Sequence, residues 1–424
     1  MTEKFLHYLW KMKLLQPDQL QASSGEKIQI LKVGEHNHNA GPDFLNARIR
    51  IGKTEWAGTV EIHVKSAEWN QHRHDQDKAY NNVILHVVYE NDEEVFHDDG
   101  TPVLSLEVKD LFDSKLFDSY QLLMNSASWI PCEKNLQSVS SITIRQWLHR
   151  LMIERLEEKT QPIIESLAEN QNNWEDTFYQ FIASAFGAKV NAEPFQMLAR
   201  SLPVKVLAKH KSSLFQLETL LFGTAGFLDE KFADDYPNQL KKEFDFLRKK
   251  YALQPMKKHV WKFLRLRPAN FPTLRIAQFA QLVFNATHLL SKILETQDVK
   301  KLFSYFDCEP SEYWLTHYRF DKLSPLKKKT LGENAIELLM INTVVPFLFV
   351  YGKMRDEDSY INQSLHLLEQ LPAEENQIIT RWKGSGVAVK SAFDSQALLQ
   401  LKNKYCTNFR CLDCAIGHKI LSTT

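Results

Sequence analysis

The 424-residue sequence predicts an α+β protein: a small mixed sheet with flanking helices, then a mostly α-helical domain, then a cysteine-rich tail. Runs in which apolar residues alternate with polar ones, a pattern typical of strands, occur between residues 27 and 108. From Ser141 onward the apolar residues recur at helical spacing, with no convincing strand pattern between them. Because the chain exceeds the usual size of one core, we expect domains at 1–128 and 129–400 and a tail at 401–424.

The N-terminal elements are predicted in the order helix, three strands, helix, strand. Residues 3–15 place Phe5, Leu6, Leu9 and Met12 on one side of a helix. The three alternating runs that follow are residues 27–33, 44–51 and 56–64. A short polar helix around residues 75–82 then precedes residues 83–89, which are almost continuously apolar. Such a run is typical of a strand that is buried on both faces.

Acids and histidines are concentrated on these strands. Asp43 directly precedes the second run, and Glu61, His63 and Lys65 alternate along the third. Because side chains of a strand alternate between its faces, Glu61, His63 and Lys65 are expected to project together. Seven of the fifteen histidines lie between His36 and His97. Several polar groups on one face of a strand usually need partners or a metal, so this sheet is the candidate active site.

This arrangement resembles the PD-(D/E)XK phosphodiesterase superfamily. Pro42-Asp43 matches its first acidic element and Glu61-Ile62-His63 its second, with His63 where lysine is expected. The resemblance implies that Asp43 and Glu61 bind Mg²⁺ or Mn²⁺ in a nuclease that hydrolyses DNA or RNA. His63, or Lys65 on the same strand face, would then assist the attacking water.

Other functions of the same residues remain open. In the nuclease hypothesis, His72, His74 and Asp77 flank the site as auxiliary ligands or phosphate contacts. A second hypothesis is a zinc-dependent hydrolase in which His63, His72, His74 and His86 hold the metal. A third is a nucleic-acid-binding or scaffolding protein without catalysis, which the histidine at the lysine position supports.

A longer pattern also resembles an uncharacterised bacterial domain-of-unknown-function family of the Bacteroidetes type. The pattern runs from Gly-Pro-Asp-Phe through Glu-Ile-His and His-x-His-x-x-Asp to Leu-His-Val-Val. It extends over most of the chain, including the Arg-Pro-Ala-Asn-Phe-Pro segment and the cysteine tail. This resemblance implies no activity.

A basic segment in the helical region is the candidate nucleic-acid contact. Residues 241–275 contain eleven Lys or Arg and two acids, and the basic residues alternate with aromatic ones. Basic side chains neutralise phosphates, and aromatic rings stack on bases. The proposed contacts are Lys257, Lys258, Arg265, Arg267 and Arg275. The alternative is a solvated helix face.

The tail predicts a metal site. Cys406, Cys411 and Cys414 have the spacing C-x4-C-x2-C, and thiolates this close together favour a metal. Zinc would take these three with His418. Alternatively, an iron–sulfur cluster would take them with Cys132, which is similar to the iron staple of some PD-(D/E)XK nucleases. Either centre would have a structural role, since all four positions would be filled.

Composition excludes several classes of protein. The 52 basic and 52 acidic residues balance, so net charge does not indicate a partner. An odd number of cysteines, five, is unlike a secreted disulfide framework. The most apolar stretch, residues 335–351, is expected to be a buried helix rather than a membrane span. We therefore expect a cytoplasmic protein without membrane contacts; the sequence does not indicate its oligomeric state.

Overall fold

The computed structural model describes residues 1–285 and 288–423. The chain divides into two compact units, one formed by Met1–Trp147 with Lys402–Thr424 and the other by Leu148–Leu401. The first unit contains a mixed sheet with helices, and the second is mostly helical. The predicted α+β class is therefore confirmed. The C-terminal cysteine segment belongs to the unit that contains the sheet.

The strands and helices of the described residues are numbered in chain order. The strands are β1 (Ile28–Lys32), β2 (Glu35–His36), β3 (Phe44–Ile51), β4 (Thr54–Lys65), β5 (Val83–Glu90), β6 (Ser105–Glu107), β7 (His317–Arg319) and β8 (Lys322–Leu323). The α-helices are α1 (Glu3–Lys11), α2 (Glu68–Gln71), α3 (Ser114–Met124), α4 (Ser141–Glu169), α5 (Trp174–Phe186), α6 (Ala188–Ser201), α7 (Val204–Ala208), α8 (Leu214–Thr224), α9 (Asp235–Tyr251), α10 (Pro272–Asn285), α11 (Leu289–Glu295), α12 (Val299–Ser304), α13 (Glu333–Leu339), α14 (Val345–Arg355), α15 (Asp358–Gln370), α16 (Gln377–Gly384), α17 (Ala392–Gln400) and α18 (Ala415–Ser422).

The main sheet has the strand order β1-β3-β4-β5-β6, and β2 also pairs with β3. The pairs β1–β3 and β3–β4 are antiparallel, whereas β4–β5 and β5–β6 are parallel. The parallel pairing requires a crossover, and α2 lies within it. In β5, Val83, Leu85, Val87 and Val88 are buried, as expected for a strand covered on both faces. The order of the main elements agrees with the sequence pattern, apart from the additional two-residue strand β2.

Two elements differ from their predicted bounds. The polar helix expected at 75–82 is replaced by two 3₁₀ turns, His74–Gln76 and Lys78–Tyr80, and the preceding α2 ends at Gln71. A continuous helix is interrupted because Arg73 adopts a left-handed φ of 62° and Asp77 is extended and caps the second turn. The first helix ends at Lys11, and Met12 is 38% exposed rather than part of the apolar face.

α1 packs against β4 through its apolar face. Phe5, Leu6, Leu9 and Trp10 are almost completely buried, and the Trp10 indole N–H donates to the carbonyl of Val33 at 2.9 Å. These contacts hold the helix on the sheet.

Among the described residues, one helical segment, in the second unit, is long and apolar enough to cross a membrane by length and composition. It comprises α13, a π-helical turn at Met340–Val344 and α14, a total of 23 residues from Glu333 to Arg355. In its most apolar window, 72% of the residues are buried inside the protein. The segment is thus a core helix, as the sequence predicts, although it is longer than the predicted stretch.

Candidate metal centre

Three imidazoles and one carboxylate converge around the C-terminal half of β4, and we call this group the histidine centre. It consists of Glu61, His63, His72 and His74. Nε2 of His63 lies 3.2 Å from Nδ1 of His72 and 3.5 Å from Oε1 of Glu61. Nε2 of His74 lies 3.3 Å from the same Oε1. The ligand atoms of the three histidines all lie within 4.8 Å of one another.

These separations fit a single metal ion. A metal–nitrogen distance of about 2.0–2.1 Å places neighbouring ligand atoms of a tetrahedral site about 3.3 Å apart. Nε2 of His74 is buried and faces Glu61 without the alignment of a hydrogen bond. An imidazole nitrogen in this position has a lone pair or a proton without a good partner, and a cation between the side chains would satisfy it.

A hydrogen bond behind the centre orients His63. Its Nδ1 lies 2.9 Å from Nε2 of His86, which is completely buried on β5. The parallel register places His86 beside Glu61 in the adjoining strand. If Nε2 of His63 binds a metal, Nδ1 of His63 carries the proton and donates a hydrogen bond to Nε2 of His86. This is the arrangement by which a second residue sets the tautomer of a ligating histidine.

His72 and His74 are held by the tight chain reversal after α2. Arg73, between them, adopts the left-handed conformation that turns the chain. Below the turn, the His74 ring stacks on Tyr80 with centroids 3.7 Å apart and meets the edge of Trp69 at 5.4 Å. Trp69 and Tyr80 belong to a buried apolar cluster, so the position of His74 depends on the core beneath it.

Asp43 and Glu61 are connected by two hydrogen bonds between their carboxylates and backbone N–H groups. The backbone N–H of Asp43 donates to Oε2 of Glu61 at 3.1 Å, and the backbone N–H of Ile62 donates to Oδ2 of Asp43 at 2.9 Å. The same Oδ2 lies 3.2 Å from Nε2 of His7 on α1. The two acids that the sequence singles out are therefore adjacent.

Asp43 also belongs to a second group of possible metal ligands, whose other members are Glu3 and His7. Sequence reasoning missed Glu3 and His7 because they lie on a helix far from the strand motifs. Their spacing was an available signal, since side chains four residues apart share a helix face. Nε2 of His7 lies 3.6 Å from Oε1 of Glu3.

Burial and neighbouring groups shift several pKa values in the site. Burial, together with the charges of His74, His72 and His7, lowers the pKa of His63 to about 3. His63 is thus neutral at physiological pH, as a metal ligand must be. Burial raises the pKa of Glu61, although His74 opposes this effect. Burial lowers the pKa of His7, but Asp43, Glu3 and Glu61 together outweigh this effect, so the net shift is upward.

The donor atoms favour a first-row transition metal over Mg²⁺. Imidazole nitrogens suit zinc and its neighbours, whereas Mg²⁺ requires oxygen ligands in nearly octahedral geometry. One oxygen of Asp43 and one of Glu61 already accept backbone hydrogen bonds. Glu61, His63, His72 and His74 are the residues that would hold such an ion.

Two predicted site residues lie apart from the histidine centre. Lys65 is 54% exposed, and its Nζ lies 3.6 Å from Oδ2 of Asp92. Asp77 caps the turn at Lys78–Tyr80 by accepting the backbone N–H of Ala79 at 2.9 Å. Both side chains have local structural partners.

The predicted basic contacts lie in the second unit. Lys257, Lys258, Arg265 and Arg267 are exposed, and Lys258 pairs with Glu230 at 2.7 Å. Arg275 is only partly exposed and donates to Asn270 at 2.7 Å and to Gln278 at 3.2 Å. Four of the five side chains are thus accessible to a ligand, whereas Arg275 is engaged in structural contacts.

The cysteines of the predicted tail site are buried in the first unit, and Cys132 is buried in the same unit. Cys308 lies in the other unit. The rings of His418 and Tyr8 pack edge to face, with centroids 5.8 Å apart.

Comparison with known proteins identifies a family without an assigned activity. No curated protein and no solved structure matches the chain. One family model, described as "Protein of unknown function (DUF2851)", matches residues 3–377. The expected membership of a domain-of-unknown-function family is therefore confirmed: the chain belongs to the DUF2851 family.

Proposed function

We propose that this protein is a metal-dependent phosphodiesterase that acts on nucleic acid. The observation that carries the proposal is the convergence of Glu61, His63, His72 and His74 at separations of 3.2–3.5 Å, beside the paired acid Asp43. A metal bound by these side chains would polarise a phosphoryl oxygen and lower the pKa of a water molecule. Hydrolysis is the reaction class that such a site serves.

The residues of the chain take distinct roles in this proposal. His63 is a metal ligand rather than the base that replaces lysine, because one ring nitrogen faces the other ligands and the second faces His86. Asp43 and Glu61 hold the two strands in register and supply negative charge. His7, whose Nε2 faces Asp43 and Glu3, is the group that would hold or transfer a proton beside the two acids.

Phosphodiesters are the favoured substrates for two reasons. The order helix, three strands, helix, strand, with Asp43 directly before β3 and Glu61 on its antiparallel neighbour β4, resembles the PD-(D/E)XK superfamily. The exposed Lys257, Lys258, Arg265 and Arg267 also offer positive charge that phosphates would neutralise. A cytoplasmic location accords with nucleic acid as the substrate and forms part of the proposal.

A nucleic-acid-binding protein without catalysis is the second candidate. Its specific support is that Lys65, the remaining lysine near the acids, is exposed and paired with Asp92. Without a lysine at the site, hydrolysis depends on the metal and on His7. Binding without cleavage would favour this candidate.

The test combines metal analysis with cleavage. The full chain would be loaded separately with Zn²⁺, Mn²⁺, Co²⁺ and Mg²⁺. Labelled single- and double-stranded DNA and RNA would be supplied, together with bis(p-nitrophenyl) phosphate as a generic phosphodiester. Glu61→Gln and His74→Ala are expected to lose metal and cleavage. Glu55→Gln, on the exposed end of the same strand, is the matched control and should behave as wild type.

The outcomes separate the candidates. Metal binding and cleavage that depend on Glu61 and His74 support the proposal. Stoichiometric metal with no cleavage of any phosphodiester overturns catalysis, and retained nucleic-acid binding would then favour the second candidate. Cleavage that survives both substitutions would show that the histidine centre is not the active site.

A further inference from the structure

Four cysteines from two distant segments are buried together in the first unit. Cys132, Cys406, Cys411 and Cys414 are each only 6–8% exposed and form no disulfide. Cys132 directly precedes a 3₁₀ helix at Glu133–Ser138, and the others belong to the C-terminal segment. The Nζ of Lys402 donates to the carbonyl of Trp129 at 2.8 Å, which attaches the start of that segment close to Cys132.

Packing of the backbone brings the segment that follows Cys132 against the C-terminal segment. The 3₁₀ helix at Glu133–Ser138 packs against α18, and Cys414 caps the N-terminus of α18. Burial raises the pKa of Cys414, although the backbone N–H groups of Gly417 and Ile416 beside its sulfur oppose this shift. A Cβ at Gly417 would lie 2.2 Å from the carbonyl oxygen of Cys411, so glycine permits this close approach. N–H groups directed at a sulfur stabilise its thiolate form.

The four sulfur atoms lie within range of one another's charge. After burial, the charges of Cys132, Cys414 and Cys411 raise the pKa of Cys406. Burial, then Cys132 and Cys414, raises the pKa of Cys411 to about 12. Burial, followed by the charge of Cys414, likewise raises the pKa of Cys132 to about 12. Each thiol of the group thus lies close enough to at least one other for their charges to interact.

His418 differs from the four cysteines in the groups that surround it. Its ring contacts Tyr8, and its pKa is lowered by burial and by Lys419, with no cysteine among the causes. The sequence left both His418 and Cys132 open as the fourth ligand, and this geometry favours Cys132.

We propose that Cys132, Cys406, Cys411 and Cys414 form a four-thiolate metal centre that fastens the C-terminal segment to the sheet-containing unit. Its occupant is either one zinc ion or an iron–sulfur cluster, both of which four cysteine thiolates bind. Four protein ligands leave no position for substrate, so the role is structural. None of these residues belongs to the histidine centre, and the inference does not depend on the proposed function.

The experiment measures metal in the full chain purified without chelator and without oxygen. Zinc, iron and acid-labile sulfide would be quantified in a His63→Ala/His74→Ala background, which removes metal held by the histidine centre. Cobalt substitution then reports thiolate ligation through its charge-transfer absorption in the near ultraviolet. Zinc without sulfide identifies a single ion, and iron with sulfide identifies a cluster. Both results support the centre.

Matched variants identify the fourth ligand. Cys132→Ser is expected to lose the metal, whereas His418→Ala and Cys308→Ser should retain it. Cys308 is a suitable control because it is also buried but lies in the other unit. If Cys132→Ser does not fold, zinc retention by Cys132→His and metal content in His418→Ala decide the question. Wild-type protein with neither zinc nor iron, or loss of metal in His418→Ala alone, would overturn the proposal.

Discussion

Nδ1 of His63 lies 2.9 Å from Nε2 of His86, and this contact links the candidate ligands to the centre of the sheet. His86 is fully buried, and burial, with the charges of His63 and His74, lowers its pKa well below the ordinary value. A neutral imidazole at this position can accept a hydrogen bond from Nδ1–H of His63 and so direct the other ring nitrogen of His63 toward a metal.

Replacement of His86 should weaken metal binding without removing a ligand. In His86→Leu, the Nδ1–H of His63 would lose its acceptor, and affinity should fall about 10–100-fold. Chelator competition with Zn²⁺ measures this effect directly. His86→Gln retains a possible acceptor and should recover part of the loss. His97→Leu, beside the same Trp69, is the control. Equal affinity in wild type and His86→Leu would show that His86 has only a packing role.

Lys65 should be dispensable. It is exposed and forms an ion pair with Asp92 at 3.6 Å, and such surface pairs contribute about 0–1 kcal/mol to stability. Lys65→Ala is therefore expected to keep wild-type metal content and any phosphodiesterase activity, with a free energy of unfolding lower by less than about 1 kcal/mol. The measurements are metal analysis, cleavage rate and urea denaturation. Loss of cleavage with metal retained would instead assign Lys65 a role in catalysis.

Local rules explain how much of the site could be predicted. Alternation along β4 predicted that Glu61 and His63 share a face, and their side chains lie 3.5 Å apart. Lys65 lies at the exposed end of the strand, and its side chain pairs with Asp92. Period-two patterns and apolar composition also predicted the strands, since they reflect burial that operates residue by residue.

Long-range packing explains what could not be predicted. His7 reaches Asp43 because α1 packs on β4, and no local pattern specifies that docking. The approach of Cys132 to the C-terminal cysteines likewise depends on the packing of Glu133–Ser138 against α18. Spacing identifies residues that can bind a metal, but tertiary contacts select the set that meets.

Gly34, between β1 and β2, should be sensitive to substitution. It has a φ of 91°, and a Cβ would lie 2.7 Å from the carbonyl oxygen of Leu45. Gly34→Ala forces a residue with a Cβ into the left-handed backbone region and brings that Cβ too close to a backbone oxygen. Together these effects should lower the free energy of unfolding by about 2–4 kcal/mol. Gly100 has a φ of 81° but open space around it, so Gly100→Ala should cost only about 1–2 kcal/mol. Equal losses in urea denaturation would show that the overlap relaxes.

Glu218, in the helical unit, should make stability depend on pH. It is fully buried and accepts hydrogen bonds from the hydroxyl of Tyr236 and, at 3.3 Å, from the indole of Trp314. Burial raises its pKa from 4.5 to about 7, although these hydrogen bonds oppose the shift. Between these two pH values the unfolded chain releases the proton while the folded chain retains it, so the free energy of unfolding falls as pH rises.

Glu218→Gln removes this titration. Relative to wild type, its free energy of unfolding should increase from pH 4.5 to about 7 and then remain constant, with a total change on the order of 3 kcal/mol. Urea denaturation of both proteins across this range measures the difference. Glu312→Gln, which changes an exposed carboxylate in the same unit, is the matched control variant. A difference between wild type and Glu218→Gln that does not vary with pH would mean that Glu218 ionises normally in the folded protein, and its burial would then need a compensating partner.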